Sequence, residues 1–114
     1  MIDIKSAYDK IGADYADAKR RLVSDDLVAR FAVKFLDDQS FSQLEAGMAA
    51  RDVKAAFMAA HTLKGVCSNL GLTNLYEPSA ALTEVLRAGS FDGAEPLFEQ
   101  TAAEYKKTVA ALSE

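Results

Sequence analysis

Apolar residues recur every three or four positions along nearly every long segment of this chain, which is the period of an α-helix. The segment from about residue 52 to 70 shows this period most regularly. Its inward-facing residues, spaced by four, three, four and three positions, are Ala56, Ala60, Leu63, Cys67 and Leu70. The alternating pattern that predicts β-strands is almost absent. The chain is therefore predicted to be all-α.

Capping residues and glycines mark where the predicted helices begin and end. Ser24 and Asp52 stand at N-cap positions, and Gly12, Gly71 and Gly89 stand where helices should stop. Three more helix starts are predicted by capping-box spacing, at Ser40-x-x-Gln43, Asn74-x-x-Glu77 and Asp92-x-x-Glu95. Because the connections are short, consecutive helices should lie antiparallel. The predicted fold is an up-and-down antiparallel four-helix bundle with additional short N-terminal helical segments.

Length and charge limit the classes of function. A chain of 114 residues predicts one domain, residues 1–114, and nothing in it demands more than a monomer. Its 17 acidic and 13 basic side chains argue against nucleic-acid binding, which requires an excess of Lys and Arg. No apolar run approaches the ~20 residues that span a bilayer, and the first residues lack a signal-peptide core. The sequence predicts a cytoplasmic protein with no membrane segment.

The chain has one cysteine and one histidine. A single cysteine excludes an internal disulfide, and the pair cannot supply a Cys/His metal site. No loop has the spacing of a calcium site. No metal and no cofactor are expected.

The histidine, His61, stands in the run Ala-Ala-His-Thr-Leu-Lys-Gly. At ~100° per residue, it lies roughly 130° from the inward-facing direction of its helix and should point to solvent. Lys64 and Gly65 follow at i+3 and i+4, so they are its neighbours on the helix surface. A nucleophilic imidazole, a cation and a gap for a partner on one face suit a group that receives a phosphoryl. A lone histidine in a small helical protein is also often only a solvated surface residue.

The run from His61 to Gly65, followed by Gly71-Leu72 and Leu75, resembles the histidine-containing phosphotransfer (HPt) domains of two-component relays. The match continues without a gap to Arg87, and the size and helix order agree over nearly the whole chain. The resemblance implies a four-helix bundle whose exposed histidine accepts a phosphoryl from the aspartyl phosphate of a receiver domain and passes it to a second receiver. It implies a phosphorylated carrier without catalytic turnover of its own.

The resemblance also implies roles for single residues. His61 would be the phosphorylated nucleophile and Lys64 the partner of the phosphoryl oxygens. Gly65 would let the active-site loops of the receiver approach. The implied partners are response-regulator receiver domains and a hybrid or sensor histidine kinase.

Two further residues of the same helix are candidate contacts. Ser68 flanks the face of His61, where it is a candidate contact for the phosphoryl or the partner, although a solvated polar residue is an equal interpretation. Met58 lies on the His61 side and is a candidate docking contact, because methionine adapts to different partners. Cys67 falls on the inward-facing side and is predicted to be inert packing.

One position departs from the family pattern. Many relatives carry Glu or Gln on the next helix, against the histidine ring, and the gapless match places Thr83 there, with Glu84 beside it. Threonine can offer one hydrogen bond to the ring but cannot raise its basicity as a carboxylate would. This departure motivates an alternative function, a phosphate-independent helical module that docks receiver domains or another signalling partner. A hydrolase with His61 as general base lacks any Ser, Cys or acidic partner at a recognisable spacing.

Overall fold

The structure is a computed structural model that describes residues 3–114, so Met1 and Ile2 of the predicted domain lie outside the described residues. Its helices are α1 (Ile4–Ile11), α2 (Tyr15–Leu22), α3 (Asp25–Lys34), α4 (Ser40–Ala49), α5 (Val53–Asn69), α6 (Thr73–Arg87) and α7 (Ala94–Leu112). A 3-10 turn, Phe35–Asp37, follows α3. No strand occurs between residues 3 and 114. The all-α prediction is confirmed.

Helices α4 to α7 form the four-helix bundle. Each packs on the next in chain order, and connections of three to six residues make neighbours antiparallel. Aromatic rings close the bundle between α4 and α7, where Phe41 stacks on Tyr105 with 4.1 Å between ring centroids and on Phe98 with 6.0 Å. The predicted architecture, a bundle with extra N-terminal helices, is confirmed.

The core of the bundle follows the helical period of the sequence. The five inward-facing residues predicted on α5, from Ala56 to Leu70, are all buried. Fully buried leucines meet them from α4 and α6, among them Leu44, Leu75 and Leu82. Burying each leucine side chain stabilises the fold by ~1.5–3 kcal/mol. This burial fixes which side of α5 remains outside.

The N-terminal helices attach to the end of α5. The buried hydroxyl of Tyr8 donates a 2.6 Å hydrogen bond to the carbonyl of Leu70, and the amide of Asp14 donates one of 2.8 Å to the carbonyl of Gly71. Gly71 has a φ of 64°, the left-handed region that favours glycine. The helix stop predicted there is therefore also a place where the N-terminal segment contacts the bundle.

Helix starts predicted from N-caps are right in two cases. Ser24 Oγ accepts a hydrogen bond from the amide of Leu27, and Asp52 Oδ1 accepts one from the amide of Ala55, each at 3.1 Å. These caps satisfy amides that have no partner within the helix.

The three capping boxes are wrong. Ser40 is already the first residue of α4, and its amide donates to Asp38 Oδ1 at 2.8 Å. The last helix begins at Ala94 rather than at Asp92, after Gly93 with a φ of 81°. In both cases the residue before the helix, Gln39 or Gly93, makes no side-chain cap hydrogen bond.

The Asn74 cap fails because its side chain is used elsewhere. Helix α6 begins one residue earlier, at Thr73. The amide group of Asn74 instead donates to Glu104 Oε1 at 2.9 Å and to Thr108 Oγ1 at 3.1 Å, both on α7. A tertiary contact therefore replaces the predicted local one.

None of the helices within residues 3–114 combines the length and the apolar character needed to cross a bilayer.

Candidate functional site

One face of α5 carries the polar and small residues that the core leaves outside. His61 and Gly65 are exposed, whereas Lys64 and Ser68 are half-buried at the edge of the face. Their spacing of three, one and three positions keeps them adjacent on the helix surface. The packing of the opposite side of α5 therefore brings all four predicted residues together on one side.

The cation of this face is available for a ligand. Lys64 forms no ion pair with any residue between 3 and 114. The positive charge of Lys64 is one of the influences that lower the pKa of the Glu84 carboxyl on α6, after the hydrogen bonds from Arg87. Lys64 thus lies one helical turn from His61 and has no ion-pair partner among residues 3–114.

Gly65 leaves open space next to His61. A Cβ built there would meet nothing within 4 Å, and the backbone is ordinary helix. Met58 lies one turn before His61 with 62% of its surface exposed, and its carbonyl accepts a hydrogen bond from the hydroxyl of Thr62. The surface around the histidine is therefore uncovered on both sides along α5.

Ser68 borders a surface cavity of about 250 Å³ between α2, α5 and the start of α6. Asp17 and Arg21 of α2 line it together with Tyr76. Arg21 Nε donates to Asp17 Oδ2 at 2.9 Å. This position of Arg21 was not predicted from the sequence, because the approach of α2 to α5 is a tertiary contact.

The imidazole ring of His61 stacks on the ring of Phe57, one turn earlier. The ring centroids are 5.9 Å apart and the planes differ by 17°. The guanidinium of Arg87 lies 5.0 Å from the centroid of the Phe57 ring. Glu84 accepts hydrogen bonds of 3.2 Å from both Nε and Nη2 of Arg87. Phe57, Arg87 and Glu84 are therefore connected to the histidine in a chain of contacts.

Electrostatics agree with this arrangement. The hydrogen bonds from Arg87 hold the pKa of the Glu84 carboxyl below its usual range, and the charges of Lys64 and His61 lower it further. The contacts that join Phe57 and Arg87 to His61 were not predicted from the sequence. The available signals were the i, i+4 spacing of Phe57 and His61 and the i, i+3 spacing of Glu84 and Arg87.

Thr83 does not contact the ring in the manner of a polar orienting residue. Its side chain is fully buried, and its hydroxyl donates to the carbonyl of Ser79 at 2.7 Å, within α6. No hydrogen bond joins Thr83 to His61. The side chain that the gapless match aligns with Glu or Gln therefore serves the helix and its packing.

Cys67 lies on the core side of α5 and is fully buried. Burial raises the pKa of its thiol, so the thiol stays protonated near neutral pH. Within the described residues, no group of three or more potential ligands could hold a metal ion.

Comparison with known proteins identifies the family to which the segment carrying this face belongs. A model of the Hpt domain matches residues 34–114, which include α4 to α7 and the whole of the His61 face. No match was found among curated proteins or among solved structures. Because the family match extends over well more than half of the chain, this protein belongs to the Hpt domain family and has a phosphotransfer-related role in two-component signalling.

Proposed function

We propose that this chain is a histidine phosphotransfer protein of a phosphorelay, in which His61 accepts a phosphoryl group from the aspartyl phosphate of one receiver domain and passes it to another. The observation that carries the proposal is that an exposed His61 and Lys64, which forms no ion pair with residues 3–114, lie on one face of α5 within the segment that matches the family. The upstream donor would be a hybrid or sensor histidine kinase.

Phosphoryl transfer requires this chain to place the imidazole of His61 and a positive charge where the phosphoryl group arrives. A ring nitrogen of His61 attacks the phosphorus, a phosphorus–nitrogen bond forms, and the bond to the aspartyl oxygen breaks, which leaves a carboxylate on the receiver. Such a transfer passes through a loose transition state that depends on in-line positioning and on neutralisation of charge. Lys64 supplies one positive charge for the phosphoryl oxygens as a flexible point charge.

Docking would use the uncovered surface around the histidine. Gly65 presents bare backbone, so a receiver loop can approach the imidazole without displacing a side chain. Met58 offers an exposed apolar contact on one side of His61, and Ser68 offers a hydroxyl on the other. These three residues would therefore form the contact surface for the receiver.

The proposal is tested by transfer from an isolated phosphorylated receiver domain to the full chain, with His61→Gln alongside. We expect a label that is acid-labile and base-stable on the wild type and absent from the variant. Equal labelling of His61→Gln would refute His61 as the acceptor. Circular dichroism of both proteins checks that the substitution leaves the bundle folded.

The alternative is a phosphate-independent module that docks receiver domains or another signalling partner. It is favoured by one observation, the burial of Thr83 with its hydroxyl donated to Ser79, which leaves the ring without a polar orienting group at that position. This alternative predicts receiver binding that is the same for wild type and His61→Gln, with no transferable label on either.

A further inference from the structure

We infer that Phe57 positions the ring of His61 for phosphoryl transfer, and that Arg87, held by Glu84, keeps Phe57 in place. The inference rests on the proposed function for its consequence, but the orientation of the ring can be measured without any phosphate. Phe57, Arg87 and Glu84 would be positioning residues, since none of them needs to touch the phosphoryl group.

The contact between Phe57 and His61 has the geometry of a stacked pair. The centroid separation of 5.9 Å and the angle of 17° lie in the range where aromatic rings attract each other. His61 is otherwise exposed, and its ring makes no hydrogen bond to the residues between 3 and 114. Stacking on Phe57 is therefore the contact that restrains rotation of the imidazole about its side-chain bonds.

Stacking restrains the ring without blocking its chemistry. The reactive lone pair of an imidazole nitrogen lies in the plane of the ring, whereas the Phe57 ring lies nearly parallel to that plane and is displaced along it. The nitrogens at the edge stay open to a receiver, and the plane in which they can attack is defined. A hydrogen bond from an orienting side chain would instead occupy one nitrogen. Stacking and hydrogen bonding therefore restrain the ring in different ways.

Arg87 extends the restraint to the next helix. Its guanidinium lies over Phe57 at 5.0 Å, and both Nε and Nη2 donate to the carboxylate of Glu84. Arginine is always charged, and its planar fork suits both the aromatic face and the carboxylate. Because Glu84 and Arg87 belong to the last turns of α6, which packs along α5, Phe57 is held between its own helix and α6.

The position of Thr83 explains why the ring of His61 needs a restraint from Phe57. A ring that rotates freely presents its nitrogen in line with the phosphorus for only part of the time, and small misplacements slow a transfer that depends on alignment. Thr83 supplies no bond to the ring. The stacked ring of Phe57 takes over this restraint in the present chain.

The test uses the full chain and four variants. Phe57→Leu keeps an apolar side chain but removes the ring, and Phe57→Tyr keeps the ring. Arg87→Ala removes the guanidinium over Phe57. Arg51→Ala is the matched control, since Arg51 lies 4.4 Å from the ring centroid of Phe91, a similar pair that does not include His61.

Two quantities are measured for each protein. The first is the rotamer distribution of His61 in the unphosphorylated chain, from NMR couplings between its α and β protons. The second is the rate of transfer from a saturating phosphorylated receiver, together with the receiver affinity. We expect one dominant rotamer in wild type, Phe57→Tyr and Arg51→Ala, and averaging in Phe57→Leu and Arg87→Ala. The two averaged variants should transfer more slowly, by on the order of tenfold, with unchanged receiver affinity.

A single rotamer in Phe57→Leu would overturn the inference, whatever its transfer rate. Averaged rotamers with a wild-type transfer rate would also overturn it, because the restraint would then have no consequence. A loss confined to receiver affinity would identify Phe57 as a docking contact and not as a positioning residue. If the wild type accepted no phosphate, the proposed function would fail, and the NMR result would still decide whether Phe57 orients the ring.

Discussion

The hydroxyl of Tyr8 donates a 2.6 Å hydrogen bond to the carbonyl of Leu70, 62 residues further along the chain. This carbonyl belongs to the C-cap residue of α5, where backbone acceptors have no partner within the helix. Burial raises the pKa of Tyr8, so its hydroxyl remains a donor at all ordinary pH values. The N-terminal helix therefore completes the end of the helix that carries His61.

Tyr8→Phe should destabilise the fold by about 1–2 kcal/mol, because it leaves the buried carbonyl of Leu70 without a partner. The free energy of unfolding in urea measures the effect. Tyr15→Phe is the control, since its hydroxyl donates to Asp25 at an exposed site and water can replace that bond. A loss for Tyr8→Phe no larger than that of the control would mean that the bond to Leu70 contributes little.

Gly71→Ala should cost at least about 2 kcal/mol of stability, since a left-handed backbone strains any residue with a Cβ and the site is tightly packed. The φ of Gly71 is 64°, and an added Cβ would lie 2.4 Å from the carbonyl oxygen of Asp14. Gly65→Ala is the matched substitution in open space, and it should stabilise α5 by ~0.5–1 kcal/mol. Thermal unfolding of the two variants should shift in opposite directions. Equal shifts would contradict the packing of the start of α2 on Gly71.

Lys64→Ala should slow transfer to His61 by roughly 10- to 100-fold without unfolding the bundle, because the transition state loses a positive charge. Single-turnover transfer from a phosphorylated receiver measures the rate. Lys106→Ala removes the same charge from α7, on which Lys106 is exposed, and should transfer at the wild-type rate. Indistinguishable rates for both variants would show that Lys64 is not a phosphoryl partner.

Gly65→Gln should prevent receiver docking while the helix content stays equal or rises, because a long side chain fills the gap beside His61 and glycine is a poor helix former. Binding of an isolated receiver domain is measured by calorimetry. Ala103→Gln places the same side chain at an exposed position of α7, away from the His61 face, and should bind normally. Tight docking by Gly65→Gln would locate the interface elsewhere.

Cys67 should resist thiol reagents in the folded protein at pH 8 and react fully after denaturation. The side chain is fully buried, so reagents cannot reach the thiol. Burial also raises the pKa of the thiol, so the reactive thiolate does not form. Colorimetric thiol titration with and without guanidinium chloride makes the comparison. Rapid reaction of the native protein would indicate that α5 opens locally near its C-terminal end.

Much of the site followed from residues close together in the sequence. The spacing of Ala56, Leu63 and Cys67 indicated which side of α5 is buried, and it thereby predicted the exposure of His61. Such predictions succeed because the angular position of a residue on a helix depends only on its distance along the chain. The predicted roles of these residues remain predictions that the transfer experiments test.

Two features were decided by packing and were not predicted. Asn74 looked like a cap, but α7 offers its amide group Glu104 and Thr108 as acceptors. Thr83 looked available to the histidine ring, but burial turns its hydroxyl to the carbonyl of Ser79. A side chain with several possible hydrogen-bond partners chooses among them by what the packing brings near, which local spacing does not encode.

The sequence by itself determined the helical period, the core side of each bundle helix and the polar face around His61, because these depend on local geometry and on the burial of apolar side chains. Only the tertiary structure decided what surrounds that face. It brought Arg87 of α6 to Phe57 and placed Tyr8 at the end of α5, since these contacts exist only when different helices pack together.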